Sequence, residues 1–399
     1  MGLLTTKRAA SLLAAGAGVL ALGALPGSAS AACTDIEGTG ATFQVLAHTR
    51  AWIPNFAACA GDVTYVGIGS GPGMNRWKAD GSGGAPSGDE FIGTDDPPSA
   101  AQINAIKAAA GGSSVEVIPV AQGAVSVIVN LPENCSATRS PLRATASSVV
   151  EAYDAGTADF GELFPGQVTG AGCAADATPI ARSSGSGTTQ VFKRYLSAVG
   201  GWSGNTRSDT TWPTAAVRTI GSGGPGVVTS VQGTEGSIGY VVIADAVDAS
   251  LSNDASTSTF WVELPNGSGY ADPAVDDGIS PPTSNCANTV YSGTVPTDTT
   301  DADWTGVNGV NTSATDYPIC ALTYVLAYSS AYAGAPSVSG RTFTADQGQT
   351  TCRYLSYVTD DATGQSEINA HHYSALPGGA GSIQVTAEAG ARSVNGGSC

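Results

Sequence analysis

Residues 182–199 read RSSGSGTTQVFKRYLSAV, and the passage changes character halfway. Its first half is hydroxyls and glycines: Arg182, Ser183, Ser184, Gly185, Ser186, Gly187, Thr188 and Thr189. Its second half repeats apolar residues at helical spacing, which puts Val191, Phe192, Tyr195, Leu196 and Val199 on one face. Gly200-Gly201 then stops the helix. A glycine-rich turn that opens an amphipathic helix is how α/β folds join a strand to the helix that follows it.

The same grammar recurs along the chain. Gly38-Thr39-Gly40-Ala41-Thr42-Phe43 is one further turn of this kind. Val63 to Val66 reads as a short strand, and Gly67-Ile68-Gly69-Ser70-Gly71 follows it. Pro97-Pro98 opens a helix carrying Ile103, Ile106 and Ala110, with Asp96 as the expected N-cap. Residues 115–131 form a long β-rich passage that Gln122-Gly123 is expected to interrupt, and Ser237 to Ile243 reads as a buried strand. Strands alternating with helices predict an α/β fold with a largely parallel sheet. From about 250 to 316 the Ser, Thr, Asp, Asn, Gly and Pro content predicts long surface loops, and a helical pattern returns at 344–375.

A chain of 399 residues exceeds what one hydrophobic core usually holds, so two domains are expected. Hydrophobic residues make up 42% and charged ones 12%, which excludes a disordered, solvating protein. Lys and Arg number 16 against 33 Asp and Glu, a formal charge of −17. Bulk electrostatics therefore argue against nucleic acid or anionic lipid as partners. Any anion this chain holds must be held by donors aimed at it.

Residues 1–31 read as a secretory signal peptide. Lys7 and Arg8 precede an apolar run from Ala9 to Leu25, and Ala29-Ser30-Ala31 fits the small-residue cleavage rule. No later stretch is long and apolar enough to span a bilayer. The eight cysteines (Cys33, Cys59, Cys135, Cys173, Cys286, Cys320, Cys352 and Cys399) form an even set in an exported chain, which predicts four disulfides. Spacing does not assign the pairs. Cys33 stands where a lipidated cysteine would stand, but Ser30 replaces the aliphatic residue such a site wants. Lipidation would also strand one thiol, so a secreted or cell-envelope protein without a lipid anchor is expected.

The three turns share their physics. Glycine lets backbone approach a ligand closely, and the first N–H groups of a helix are unpaired and carry partial positive charge. Ser or Thr adds another donor. None is a Walker P-loop, and none has the dinucleotide-binding pattern. Gly93-Thr94-Asp95-Asp96-Pro97-Pro98 supplies the opposite kind of group. A carboxylate facing the donors makes sense when the anion carries a proton, whose hydrogen bond Asp95 would accept.

Taken in order, GTGATF, GIGSG, GTDDP, RSSGSGT and GSIGY resemble the phosphate-binding subunits of ABC phosphate transporters, including the related DING-type proteins. Residues 303–328, Gly364-Gln365 and Ala375-Leu376-Pro377 extend the resemblance, so it covers nearly the whole mature chain. It implies a two-lobe type II periplasmic-binding-protein fold with a hinge and a ligand cleft between lobes. One lobe would be 32–119 plus 277–399 and the other 120–276.

The resemblance also implies a set of phosphate-binding residues. Thr42 would give its hydroxyl and N–H, Phe43 its N–H, and Ser70 hydroxyl and N–H. Asp95 would accept the phosphate proton, and Arg182 would give a charged contact. Ser186 would add its hydroxyl, Gly187 its N–H, and Thr188 both. The family usually carries Asp two residues after the Arg, as its partner. Here that position is Ser184, which leaves Arg182 less restrained or paired with another acid.

The implied ligand is inorganic phosphate. The implied partner is an ABC permease membrane subunit pair, and the protein is expected to be a monomer with no cofactor, metal or catalytic residue. A secreted phosphate scavenger without a permease, and a phosphatase on the same fold, are the alternatives. His371-His372 invites a metal reading, but adjacent helical residues diverge and no matching acid cluster is evident.

Overall fold

The structure is a computed structural model that describes residues 33–58, 61–267, 269–275, 283–313, 316–330 and 343–399. The signal peptide at 1–31 lies outside these residues, as does Cys59.

Nine strands form one mixed sheet. In chain order the elements that position the site are β1 (Ile36–Gly40), β2 (Val63–Gly67), α1 (Ser70–Arg76), β3 (Phe91–Thr94), α2 (Ala100–Ala109) and β4 (Val115–Asn130). They continue with β5 (Thr178–Arg182), α3 (Gly187–Val199), β6 (Arg218–Gly221), α4 (Gly223–Gln232), β7 (Ser237–Val242), α5 (Ile243–Asp248), β8 (Thr259–Trp261), β9 (Cys320–Tyr328) and α6 (Ala345–Thr359). The strand order is β2-β1-β3-β9-β4-β7-β5-β6, with β8 beside β4.

The sheet is not largely parallel. β2, β1 and β3 pair in parallel at one end, and β7, β5 and β6 do so at the other. Between them β9 runs antiparallel to both β3 and β4, and β4 antiparallel to β7 and β8. Each end is built from strand-turn-helix units, whose crossovers force parallel neighbours. The two central strands cross the molecule and are free of that constraint.

β4 does not break at Gln122-Gly123. It runs unbroken for 16 residues, all buried. Its first part pairs with β9 through Ala124, and its second pairs with β7 from Val125 onward. The backbone of Gln122 exchanges hydrogen bonds with Ser374, and its side chain binds Ala375 and Tyr291. Gly123 has no side chain because the Phe43 ring occupies the space; a Cβ there would sit 2.9 Å from it. Both residues are thus needs of the interior, not of a turn. The lobe crossing expected at 119/120 falls inside this strand, and the one at 276/277 lies outside the described residues.

α2 begins later than expected. Its N-cap is Ser99, which forms a capping box with Gln102. Asp96 instead accepts a hydrogen bond from Gln190 Nε2 at 2.6 Å. α3 matches its expected span, with Val191, Phe192, Tyr195 and Leu196 buried and Gly200 as C-cap at φ 96°. The 250–316 region is more than surface loops. β8 joins the sheet there, and Phe260, Val262, Leu264 and Trp304 are buried. Burial of such side chains stabilises by roughly 1.5–3 kcal/mol each.

Disulfides pair Cys135 with Cys173, Cys286 with Cys320 and Cys352 with Cys399. Cys33 is disulfide-bonded too. No helix of the described residues is long and apolar enough to cross a membrane.

Candidate functional site

All three glycine-rich turns stand where a strand feeds a helix. β1 leads into a 3-10 turn at Thr42–Gln44, β2 into α1, and β5 into α3. Gly69, at φ 100°, bends the chain so that Ser70 opens α1. β1 and β2 leave one end of the sheet, whereas β5 runs the opposite way at the other end, beyond the two antiparallel central strands.

Six of the eight expected residues meet in one buried cluster. Ser70 is 1% exposed, Asp95 3%, Arg182 3%, Ser186 1% and Thr188 5%. Ser70 Oγ accepts hydrogen bonds from the N–H of Asp95 at 3.1 Å and of Gly187 at 3.4 Å. Thr188 Oγ1 donates to Asp95 Oδ2 at 3.3 Å. Arg182 Nη1 donates to Ser186 Oγ at 2.9 Å. The cluster thus draws on both ends of the sheet. Gly187 is needed where they touch, because a Cβ there would lie 2.3 Å from the Asp95 carbonyl carbon.

The other two stand beside the cluster. Thr42 is half-buried on the wall of a cleft of about 480 Å³, with Ile68, Ser184, Ser222, Gly223 and Asp245. Phe43 packs its ring inward, and its carbonyl accepts from the Tyr373 hydroxyl.

Electrostatics set this cluster apart. Burial pushes the Asp95 carboxyl up to about 7, while the Thr323 hydroxyl, Arg182 and the Thr188 hydroxyl pull it down. Burial lowers the Arg182 pKa, and Tyr240, Asp95 and Asp245 oppose that. Arg182 Nε is buried with no hydrogen-bond partner among the described residues. A buried donor left without a partner suits an oxyanion.

Sequence reasoning missed three supporting residues. Thr323 Oγ1 donates to Asp95 Oδ1 at 2.8 Å, from the middle of β9. The Tyr240 hydroxyl accepts from the Arg182 N–H at 3.4 Å and pairs with Thr189 Oγ1 at 2.7 Å. Asp245 carries a buried Oδ2 with no hydrogen-bond partner among the described residues. The available signal was a polar residue inside an apolar run, as in Cys320 to Tyr328. Ser184 is on the cleft wall, so no acid follows Arg182 at that point.

His371 and His372 sit with Leu46, Arg50 and Asp248 around a small recess of about 40 Å³. No group of three or more potential metal ligands occurs among the described residues.

The chain belongs to the PBP superfamily: the model of the PBP superfamily domain matches residues 27–345. A curated relative, the phosphate-binding protein PstS of Xylella fastidiosa strain Temecula1, is 27% identical over 367 residues, covering 86% of this chain and 81% of that protein. Among solved structures, a periplasmic phosphate-binding protein (PfluDING) bound with phosphate has a TM-score of 0.63 at 20% identity, covering 89% of this chain and 93% of that one. The phosphate-binding protein of Stenotrophomonas maltophilia also reaches 0.63, at 16% identity, over 90% and 94% of the two chains. The two-lobe α/β fold expected from the sequence is therefore the fold of this chain.

Proposed function

We propose that the protein binds inorganic phosphate between its two lobes outside the cytoplasm and hands it to an ABC-type import permease. One observation carries the reading. A guanidinium, a carboxyl with a raised pKa, three hydroxyls and the start of a helix converge in one buried cluster, drawn from both ends of the sheet. Thr42, Phe43, Ser70, Arg182, Ser186, Gly187 and Thr188 donate to the anion, and Asp95 accepts the proton that hydrogen phosphate keeps and sulfate lacks. Closure of 32–119 plus 277–399 on 120–276 removes the anion from water, where these donors act at low dielectric. The name PstS and the phosphate held by PfluDING support the ligand. The disulfides support an oxidising, exported location. The bond at Cys33 supports a protein without a lipid on that sulfur.

Calorimetric titration with phosphate and with sulfate tests the binding step. Phosphate is expected to bind tightly and sulfate roughly 10⁴–10⁵ times more weakly, the margin of sites built for one specific hydrogen bond. Equal affinity for both would remove the proton-reading role. Deletion of the gene tests delivery: poor growth on limiting phosphate supports the permease, and unchanged growth favours a scavenger. A phosphatase would need a nucleophile with its base, or a metal. Turnover of a phosphomonoester by the pure protein would overturn the binding-only reading.

A further inference from the structure

Asp245 lies in the first turn of α5, on the cleft wall that Thr42, Ser222 and Gly223 share. It is 4% exposed, and its Oδ2 has no hydrogen-bond partner among the described residues. The packing around it is specific. A Cβ on Gly224 would come within 1.8 Å of Oδ2, so glycine is what lets the start of α4 lie against this carboxyl. At neighbouring Gly223, φ is +71° and a Cβ would be 3.2 Å from Thr42 Cγ2. Thr42, Gly223 and Asp245 therefore stand together on the cleft wall, with Gly224 packed against the Asp245 carboxyl. Arg182 and Asp95 are both close enough to influence the Asp245 carboxyl.

The two carboxyls live in unlike surroundings. Asp95 receives the Thr323 hydroxyl on Oδ1 and the Thr188 hydroxyl on Oδ2. Donors of this kind favour the ionised form. Asp245 Oδ2 receives none, and a buried ionised oxygen without donors is costly. With a proton on it, the same oxygen becomes a donor in need of an acceptor, and the described chain supplies none.

We propose that Asp245 is a further binding residue of the anion site: it stays a neutral carboxylic acid facing the cleft and donates a hydrogen bond to the bound oxyanion, while Asp95 accepts one. This inference rests on the phosphate reading of the same site. Burial pushes the Asp245 carboxyl up to about 8, opposed by Arg182 and helped by Asp248 and Asp95, against about 7 for Asp95. Two carboxyls whose environments separate their pKa values take different roles.

Ionisation of Asp245 would turn a donor into a negative charge facing an anion. The charged and titratable groups around it are Arg182 on β5, Asp95 after β3, Tyr373, and Asp248 on its own helix. Asp248 pairs with Arg50 at 2.7 Å, with His371 and His372 beside the pair. α4, which packs on this helix, brings no ionisable side chain. Burial keeps Tyr373 well above the usual tyrosine range, and Asp95 is already largely ionised once the medium is alkaline.

The test is calorimetric titration of inorganic phosphate into the purified protein, its D245N variant and its D245A variant, in mildly and then strongly alkaline buffer. Free phosphate is mostly a dianion throughout that window. Wild-type affinity is expected to fall by about tenfold across it, following the deprotonation. D245N, whose amide donates at every pH, should bind within about threefold of wild type at the lower pH and lose little at the higher. D245A lacks the donor and should bind roughly tenfold more weakly at the lower pH, with a flat profile. A D245N protein that loses as much affinity as wild type across the window overturns the inference, as does D245A binding like wild type at the lower pH. Wild-type protein that takes no phosphate at either pH overturns the phosphate reading itself, a result distinct from those two.

Discussion

Asp95 carries the account's selectivity. Its carboxyl accepts from two threonine hydroxyls and lies where Arg182 also acts on it. Asp95→Asn keeps the shape but replaces an acceptor oxygen with a donor. Titration of this variant should show the preference for phosphate over sulfate falling by at least about a hundredfold, a large part of the margin a specific buried hydrogen bond can give. Thr323→Val removes the donor to Asp95 Oδ1 and should weaken phosphate binding near neutrality by about 2 kcal/mol, the worth of a hydrogen bond to a charged group. The lost donor raises the Asp95 pKa further, so the deficit should shrink as pH rises and the carboxyl ionises; a deficit constant with pH would refute that role. The hydroxyls at 42, 70, 186 and 188 were legible because glycines mark the turns that hold them. Thr323 and Asp245 were not, since each looks like one polar residue in an apolar stretch until β9 brings Thr323 to Asp95 and α5 sets Asp245 on the cleft wall.

Strands and helices act mainly through where they start. α3 begins at Gly187, which packs directly against Asp95. Gly187→Ala would put a Cβ 2.3–2.4 Å from Asp95 atoms, so the two ends could not approach fully. Phosphate affinity should drop by about a hundredfold or more, since misplacing such groups by about 1 Å is that costly, while the melting temperature changes little. Equal loss of both would point to misfolding instead. Ser99→Ala removes a capping box far from the anion and should do the reverse. It should cost about 1 kcal/mol, or about 2–4 °C in a thermal melt, with binding unchanged. Periodicity made α3 readable almost to the residue. Asp96 was read as a cap because an acid before Pro-Pro resembles one, yet Gln190 holds it and Ser99 caps the helix instead. Gln122-Gly123 looks like a break in β4 because a buried glutamine with three partners resembles, in one dimension, a turn.

The folded protein as one body stores two buried acids, Asp95 and Asp245, with raised pKa values. The folded state holds their protons more tightly than the unfolded chain does, so their contribution to ligand-free stability is fully present below the ordinary carboxylate range. It is lost as pH rises towards the folded values of about 7 and 8. Thermal melts of stripped protein should therefore fall between mildly acidic and mildly alkaline pH, and D245N should flatten part of that slope. A melting temperature that climbs with pH would contradict these assignments. The acidity of the chain, −17 overall, does not forbid an anion site, because the site's donors are local and mostly neutral. Bound phosphate should raise the melting temperature with concentration, as any ligand of the folded state does.

The most direct measurement is to denature the protein as purified and assay the phosphate released, then repeat with stripped protein equilibrated in dilute phosphate. The account predicts one phosphate per chain, carried through purification or regained from solution. A chain that releases none and takes up none would contradict it.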